Sequence, residues 1–450
     1  MFNKTDYVLN TPKKDIRSSE KVSIIIPTLN RSDFLIRALG YYYQTGFKGY
    51  ICIGDSSEHD HVQKISAFIN KKEIKHNLNI LYNHYPKSHY SAIDVVNEIF
   101  KLVQTPYVVF SGDDDFLITN SLAICLDFLE KNDDYVAAHG LRMDFKLDSN
   151  KAFGQIIETD FTRQHIWESE KASYRWAGYL RHAAATSYYV HRRSTFEAML
   201  QDTQKVTCHY LGAELLPCSL TSILGKVKQI DCLSTVFEIK KAEDKNFSWE
   251  KQSIYRYMLS HDWYQSVAIV KKRIVTELAK ADDVTVEEAS DIFNREFCNY
   301  LINFLRWQYA IRYGSIHELL FETIGENIQE YHCLYSLITS QSWYEIIKKA
   351  REDAIKKILA QKKANNLLEA QTQYDKFLWQ YLLIILTIQF QNNYKDVTII
   401  VDDAGSKNEL IDYKTRFSLK NLLNPSSPYH EDFMPIYHIL QGNYEKNVAT

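Results

Sequence analysis

Apolar and polar positions alternate in blocks along the first half of the chain. Val22 to Pro27 (Val-Ser-Ile-Ile-Ile-Pro) has the unbroken β-branched character of a strand buried on both faces of a parallel sheet, with Pro27 expected to close it. Ser32 and Asp33 offer an N-cap, and Phe34, Leu35, Leu39 and Tyr42 then share one face of a helix from about 34 to 43. Gly46 and Gly49 break that helix, and Tyr50 to Ile53 reads as the next strand, ending at Gly54-Asp55-Ser56-Ser57. A helix over about 60–71, a short strand at 78–82, a helix over 91–103 and a strand at 107–110 follow. Next come a helix over 121–131 and a strand at 135–139. Strand and helix in this rhythm predict a right-handed, mostly parallel α/β sheet. Between 140 and 210 the pattern is less regular, with a strand expected within 184–191; a helix over 212–224 and one or two strands over 230–239 come after it. From Lys241 the chain turns Trp-, Tyr- and Lys-rich with helical periodicity, as in 344–364. The expected organisation is therefore a polar extension over 1–20, an α/β domain over 21–245 and a mainly helical region of unassigned role over 246–450.

Composition narrows the picture. A chain of 450 residues exceeds one ordinary core and suggests two or three domains. The 31 Tyr and 22 Phe against only 14 Gly and 8 Pro imply dense regular structure. A net charge of −3 gives no global attraction to nucleic acid. The seven cysteines form no CxxC pair and no zinc spacing, and Cys52 and Cys125 lie in apolar runs, so buried reduced thiols are expected. The first residues lack the apolar core of a signal peptide. The longest apolar stretch, Phe377 to Phe390, is interrupted by Gln380, Thr387 and Gln389 and falls short of the ~20 residues a spanning helix needs, so a buried helix is expected there. These features read as a soluble, cytoplasmic protein, with contact at the inner face of the cell membrane left open.

The chemistry concentrates where strands end. After 107–110 come Ser111-Gly112-Asp113-Asp114-Asp115, three like charges whose repulsion needs a cation or ligand to offset it. The plain alternative is a solvated acidic turn. A hard divalent ion, Mg²⁺ or Mn²⁺, suits carboxylates, water and phosphate. Two more polar clusters follow the first two strands, Pro27-Thr28-Leu29-Asn30-Arg31 and Gly54-Asp55-Ser56-Ser57. All three fall on the edge of an open α/β sheet where ligands bind, the carboxyl ends of its strands.

With these three motifs in hand, Ile-Ile-Ile-Pro-Thr-Leu-Asn-Arg, Ile-Gly-Asp-Ser-Ser and Tyr-Val-Val-Phe-Ser-Gly-Asp-Asp-Asp-Phe-Leu, the sequence over about 22–240 resembles family 2 glycosyltransferases of the GT-A fold, in a bacterial subgroup with a DDDF-type metal motif. The resemblance implies a nucleotide-sugar donor, UDP-linked by default, lying across the strand ends, and a divalent metal as cofactor. It implies that Pro27, Thr28 and Asn30 line the nucleotide pocket, with Arg31 near the diphosphate and Asp55 on the base or ribose. Asp115 is the implied direct metal ligand and Asp113 the second, facing ribose or metal waters; Asp114 is the lesser candidate, because three Asp satisfy the motif in two registers. Departure of a nucleoside diphosphate builds charge that a metal offsets, and a poor hydroxyl nucleophile needs a carboxylate base for inverting single displacement. The family places that base at the start of a later helix. Gly212-Ala213-Glu214-Leu215-Leu216 matches best and makes Glu214 the candidate, although Leu215 stands where a second acidic residue is common. An ordinary Glu in a helix's first turn is the competing reading.

Other residues carry less. Lys87 and Ser88 lie in a loop where Lys87 could pair with the diphosphate, or simply be solvated. His182, His191 and His209 are candidate third metal ligands, although a lone His is more often structural. Arg175 and Arg181 could meet an anionic sugar or acceptor, and Lys356, Lys357, Lys362 and Lys363 an anionic lipid, or each could be a solvated helix face. No Gly-rich phosphate loop follows the first strand, which argues against nucleotidyltransferase, NTPase and dehydrogenase readings. The remaining alternative is a degenerate GT-A domain acting as a glycan-assembly scaffold. The resemblance implies a saccharide or lipid-linked acceptor of a bacterial surface glycan. For 246–450, acceptor binding, oligomerisation and membrane-surface contact stay open.

Overall fold

The computed structural model describes residues 20–162, 167–182, 185–239, 254–313, short pieces between 348 and 360, 366–394 and 414–442. Nine strands among them form one sheet in the order β3-β2-β1-β4-β8-β6-β9-β5, with β7 paired to β6. Strands β1 (Val22–Thr28), β2 (Tyr50–Asp55), β3 (Asn79–His84) and β4 (Tyr107–Phe110) are mutually parallel. The second half is mixed: β5 (Phe116–Leu117), β6 (Tyr135–Leu147), β7 (Ile156–Thr162), β8 (Val190–Arg192) and β9 (Lys226–Glu238), where β8 runs antiparallel to β4 and β6 while β6 and β9 are parallel. This is the α/β sheet expected for a GT-A domain, followed by a largely helical C-terminal region.

Local deviations from the sequence reading have identifiable causes. Strand β1 runs one residue past Pro27. The Ile25 carbonyl meets Ser111 on the β4 side, so residue 27, two positions on, faces a neighbour that has already ended, and its missing N–H leaves no ladder bond unmade. Helix α1 (Ser32–Gln44) starts at Ser32 rather than being capped by it: the cap is Arg31, and the Ser32 hydroxyl pairs with His61 Nδ1 at 2.8 Å. Gly46, at φ 65, carries the chain out of that helix, as its lack of a Cβ permits. The helix expected over about 60–71 is α2 (His59–Ile69), and a further short helix, α3 (Lys72–Asn77), follows it before β3. Helix α4 (Ala92–Phe100) opens on a capping box of Ser91 and Asp94. It packs so closely over β2 that a side chain at Gly54 would meet Ile99 and Val95 at 2.5 Å. Helix α5 (Thr119–Lys131) follows the triplet, and β6 extends to Leu147, far past the expected Tyr135–His139.

Each face of the sheet has its own core. On one, Ile24 and Ile26 pack with Leu35 and Tyr42 of α1, with Leu122 and Leu126 of α5 and with Met143. On the other, Ile25 and Val108 pack with Ile99 of α4 and with helices α6 (Ala172–His182), α7 (Arg193–Leu200) and α8 (Leu216–Leu224). The region after 253 divides between them. After a short α9 (Ile254–Met258), helices α10 (Trp263–Asp282), α11 (Val286–Tyr313) and α12 (Leu367–Asn393) extend the second core, with α10 against α8 and α11 against α6 and α12. Helices α13 (Leu419–Leu422) and α14 (His430–Leu440) return to the first core, where Phe433, Ile436 and Leu440 lie against α1. The expected boundary near 245 falls outside the described residues. No helix among the described residues is long and apolar enough to cross a membrane; the apolar stretch Phe377 to Phe390 lies in α12, with Leu382, Leu386 and Phe390 in the core.

Candidate active site

The first two polar strand ends are tied into one unit. Asn30 takes the left-handed conformation at φ 55, which Asn tolerates better than most residues. Its N–H donates to Ser57 Oγ at 2.7 Å, and its side-chain oxygen accepts from the Glu58 N–H at 2.8 Å. Asp55, at the end of β2, is fully buried; its carboxylate accepts from the Ser57 N–H at 2.8 Å and from the Tyr82 hydroxyl at 2.7 Å. The expected base-contacting carboxylate is thus turned into the loop it organises, while Asn30 stays exposed above it.

The triplet divides its labour. Thr28 Oγ1 donates to Asp113 Oδ2 at 2.7 Å. The Arg31 guanidinium then bridges two carboxylates, with Nη1 3.2 Å from Asp113 Oδ1 and Nη2 2.5 Å from Asp114 Oδ2. Burial works against the Arg31 charge, but Asp113 and Asp114 outweigh it and raise its pKa further. Asp115 points the other way and is buried, its Oδ1 accepting from the Glu238 N–H at 2.9 Å and its Oδ2 from the Tyr188 hydroxyl at 2.6 Å. Burial, followed by the Asp114 charge, pushes the Asp115 carboxyl well above the usual carboxylate range. Gly112 makes this turn feasible: a Cβ there would sit 2.6 Å from Asp115 Oδ2 and 3.0 Å from the Tyr188 hydroxyl.

A second, deeper layer holds the turn. Arg37, with no exposed surface, donates to the carbonyls of Asp114 and Ala152, both at 2.5 Å, and to Glu238 Oε2 at 2.8 Å. Its guanidinium also lies 5.0 Å from the centre of the Phe116 ring. Outside that layer, and with no bond to the turn, Arg142 on β6 stacks 3.8 Å over Phe237, donates through Nε to Asp144 Oδ1 at 2.6 Å, and lies near enough to Asp115 to pull its pKa down.

Glu214 lies elsewhere on the molecule's surface relief. The helix expected over 212–224 begins as a π-helical turn, Tyr210–Leu215, before α8; such turns recur at functional sites. Glu214 reaches solvent, yet the protein walls crowd it enough that burial raises its carboxyl pKa. Tyr179, Tyr210, Tyr257 and Tyr300 all sense its charge, and Tyr210 and Tyr300 share a hydroxyl–hydroxyl hydrogen bond. Cys218, one turn on from Glu214, lies against Thr186 and Ser187, next to the Tyr188 that holds Asp115.

Residues 23–188 match the family model described as Glycosyl transferase family 2. They form a glycosyltransferase domain. Among solved structures, the chain is similar to S. aureus TarS 1–349 at 12% identity, with 84% of this chain and 92% of that chain covered and a TM-score of 0.42. It is similar to the same protein in complex with UDP-GlcNAc (12% identity, 83% and 92% covered, TM-score 0.42) and in complex with UDP (11%, 85% and 97%, 0.39). No curated protein matches the chain.

Within the glycosyltransferase domain, the structure gathers Thr28, Arg31, Asp113 and Asp114 into one cluster, with Asn30 beside it on the Ser57 loop. Pro27 is half-buried at the end of β1. Lys87 is exposed in the turn after β3, outside the ion pairs around the carboxylates. The register expected from the motif, with Asp115 as first ligand, meets an obstacle: Asp115 is buried with both oxygens held by protein donors, whereas the Asp114 side chain keeps 15% of its surface exposed. His191 is buried, its pKa pushed down to about 3 by burial, and its Nε2 meets Thr221; it belongs to the core rather than to a metal. Arg175 is likewise internal, spending its guanidinium on the carbonyls of Ser169, Glu170, Ser222 and Ile223. His209 and Arg181 are exposed. Of the four lysines, only Lys356 is described, and it is exposed. The sequence reading missed Tyr188, Tyr82, Arg37, Arg142 and Glu238. None sits in a strand-end motif, and only their arrival from distant strands and helices makes them partners.

The donor chemistry fits a hard divalent ion only in company. Among the described residues, no three His, Cys, Asp or Glu converge on one point. Magnesium, however, is usually held by one or two carboxylates plus substrate phosphate, and Asp113 with Asp114, already bridged by one cationic group, is a donor set of that kind.

Proposed function

We propose that the protein transfers a sugar from a nucleotide-diphosphate sugar, UDP-linked by default, to a hydroxyl of a saccharide or lipid-linked acceptor, with inversion. The observation that carries this reading is the Arg31 bridge between Asp113 and Asp114 at the carboxyl ends of β1 and β4, within the segment that matches the glycosyltransferase family. Opposite charges paired at a ligand-binding sheet edge supply both things a metal–diphosphate needs, carboxylates for the cation and a guanidinium for the phosphates.

Asp114 and Asp113 would hold Mg²⁺ or Mn²⁺, which when bound offsets the charge that develops on the departing diphosphate. Arg31 binds phosphate oxygens, Thr28 fixes the Asp113 rotamer, and Asn30 with the Ser57 loop borders the nucleotide. Asp115 and Asp55 orient these loops from beneath. Glu214 accepts the proton of the acceptor hydroxyl as that oxygen attacks the anomeric carbon; its raised pKa brings it nearer the operating pH, where a general base works best.

The decisive experiment measures UDP binding calorimetrically with and without Mn²⁺, then transfer from a panel of nucleotide sugars. Metal-dependent UDP binding that Asp114→Ala removes and Asp115→Asn largely keeps supports the reading. UDP binding indifferent to metal and to Asp114→Ala defeats it.

A further inference from the structure

Among the described guanidinium groups around the triplet, Arg142 is the one whose terminal nitrogens are unused. Arg31 serves Asp113 and Asp114 with both terminal nitrogens, and Arg37 spends Nη1 and Nη2 on two carbonyls and Glu238. Arg142 is held differently. Its plane lies 3.8 Å over the Phe237 ring, and its Nε donates to Asp144 Oδ1 at 2.6 Å. Asp144 is itself fixed, since Thr162 donates to its other oxygen. Among the described residues, neither Nη1 nor Nη2 of Arg142 has a partner, and 17% of the side chain remains exposed. A structural Arg–Asp pair frequently closes two parallel bonds; this one is gripped through Nε alone, and its two terminal nitrogens are left for a bidentate ligand.

The position is equally specific. Leu141, Met143 and Phe145 of β6 face the core beneath α1 and α5, so the strand's alternation turns Arg142 and Asp144 to the opposite face, the one covered by α6 and α8. The π-helical turn that carries Glu214 packs into the core on that same face through Leu211 and Leu215. Tyr189 ties the two together, sensing both Arg142 and the Cys218 that lies one turn from Glu214. In the strand order, β8 separates β6 from β4, so Arg142 stands beyond the triplet from β1 and β2, where the nucleotide loops are.

Resting on the glycosyl-transfer reading above, we propose that Arg142 anchors an anionic acceptor: its fork takes a carboxylate or a phosphate carried by the acceptor saccharide, placing the acceptor between the triplet and Glu214. A guanidinium binds both oxyanions in the same bidentate manner, so acidic sugars and phosphate-bearing acceptors share this chemistry.

The test uses the full chain saturated with Mg²⁺ and UDP. Glucuronate and glycerol 3-phosphate are titrated by calorimetry, with glucose and glycerol as neutral counterparts, against wild type, Arg142→Gln and Arg142→Lys. Wild type should prefer an anionic probe over its neutral counterpart by about tenfold, and Arg142→Gln should erase that preference, while UDP affinity stays unchanged. Whichever probe shows the preference identifies carboxylate or phosphate as the source. Arg142→Lys, which keeps the charge without the fork, should bind the anion several-fold more weakly and covers the case in which the Gln variant does not fold. No anion preference in wild type, or an equal preference in the variants, overturns the proposal. So does a loss of UDP affinity in Arg142→Gln, which would place the residue on the donor diphosphate. Failure of UDP to bind wild type at all would instead sink the transfer reading, and the anion preference would remain measurable without nucleotide.

Discussion

Neighbouring carboxylates of one motif hold opposite offices in this site. Asp114 is the open one and meets Arg31, while Asp115 is buried between Tyr188 and the Glu238 N–H. Tyr188→Phe deletes one donor to a buried carboxylate and should lower stability by about 1–3 kcal/mol, read as a shift in the urea midpoint at unchanged m-value. Asp114→Asn should leave that midpoint nearly unmoved and remove metal-dependent nucleotide binding. Glu214→Gln should reduce kcat by about 10²–10⁴-fold with UDP binding intact. Because burial raises the Glu214 pKa and the ionised form is the base, the rate should climb with pH along a limb above the usual Glu range, a limb absent from the Gln variant. A pH–kcat profile with the same acid limb in both proteins would remove Glu214 from the reaction.

At the scale of elements, two devices set the geometry. The buried Arg37–Glu238 pair joins α1 to the end of β9, and through the Asp114 carbonyl it joins both to the triplet. Arg37→Met removes the buried cation that faces Glu238 and should destabilise by about 3–5 kcal/mol, detected as a lowered thermal midpoint with loss of nucleotide binding. The second device is the docking of α14 on α1. Burial, followed by the Glu431 charge, raises Asp432 to about 6. A carboxyl whose folded pKa is raised binds its proton more tightly when folded, so its contribution is complete below the unfolded value near 4 and fades as pH climbs through about 6. Urea midpoints should therefore fall between pH 4.5 and 7, by about 2 kcal/mol at most from this group, and Asp432→Asn should flatten that slope.

For the whole molecule, the helices after 253 are structural partners of the glycosyltransferase domain rather than a separable appendage. Helices α10 and α11 continue the core that Trp176, Leu211 and Leu220 begin, and α14 covers the opposite face. A fragment ending at 245 should consequently expose both apolar surfaces and aggregate or bind a hydrophobic dye. A chain truncated after 413 should lose only the α14 face and fold with a lowered midpoint. A monomeric, cooperatively folded 1–245 fragment would show the two parts to be independent.

The parallel strands β1 to β4 and the helices between them were legible because each is a local pattern: a β-branched run, a polar end and an amphipathic stretch, within a few residues of one another. The same locality exposed Asn30, Arg31, Asp55 and the triplet as a group, since strand ends in such a sheet must meet at one edge. What the sequence could not assign was which carboxylate faces out. Asp113, Asp114 and Asp115 are chemically identical in a string of letters, and their roles follow from donors supplied by residues 28, 31, 188 and 238. Nor could local pattern show that β6 runs on to Leu147, that Arg142 sits beside the triplet, or that 414–442 comes back to α1. Those arrangements depend on contacts between segments far apart in the chain, so burial and hydrogen-bond partners, which set pKa and accessibility, were decided only by the tertiary structure.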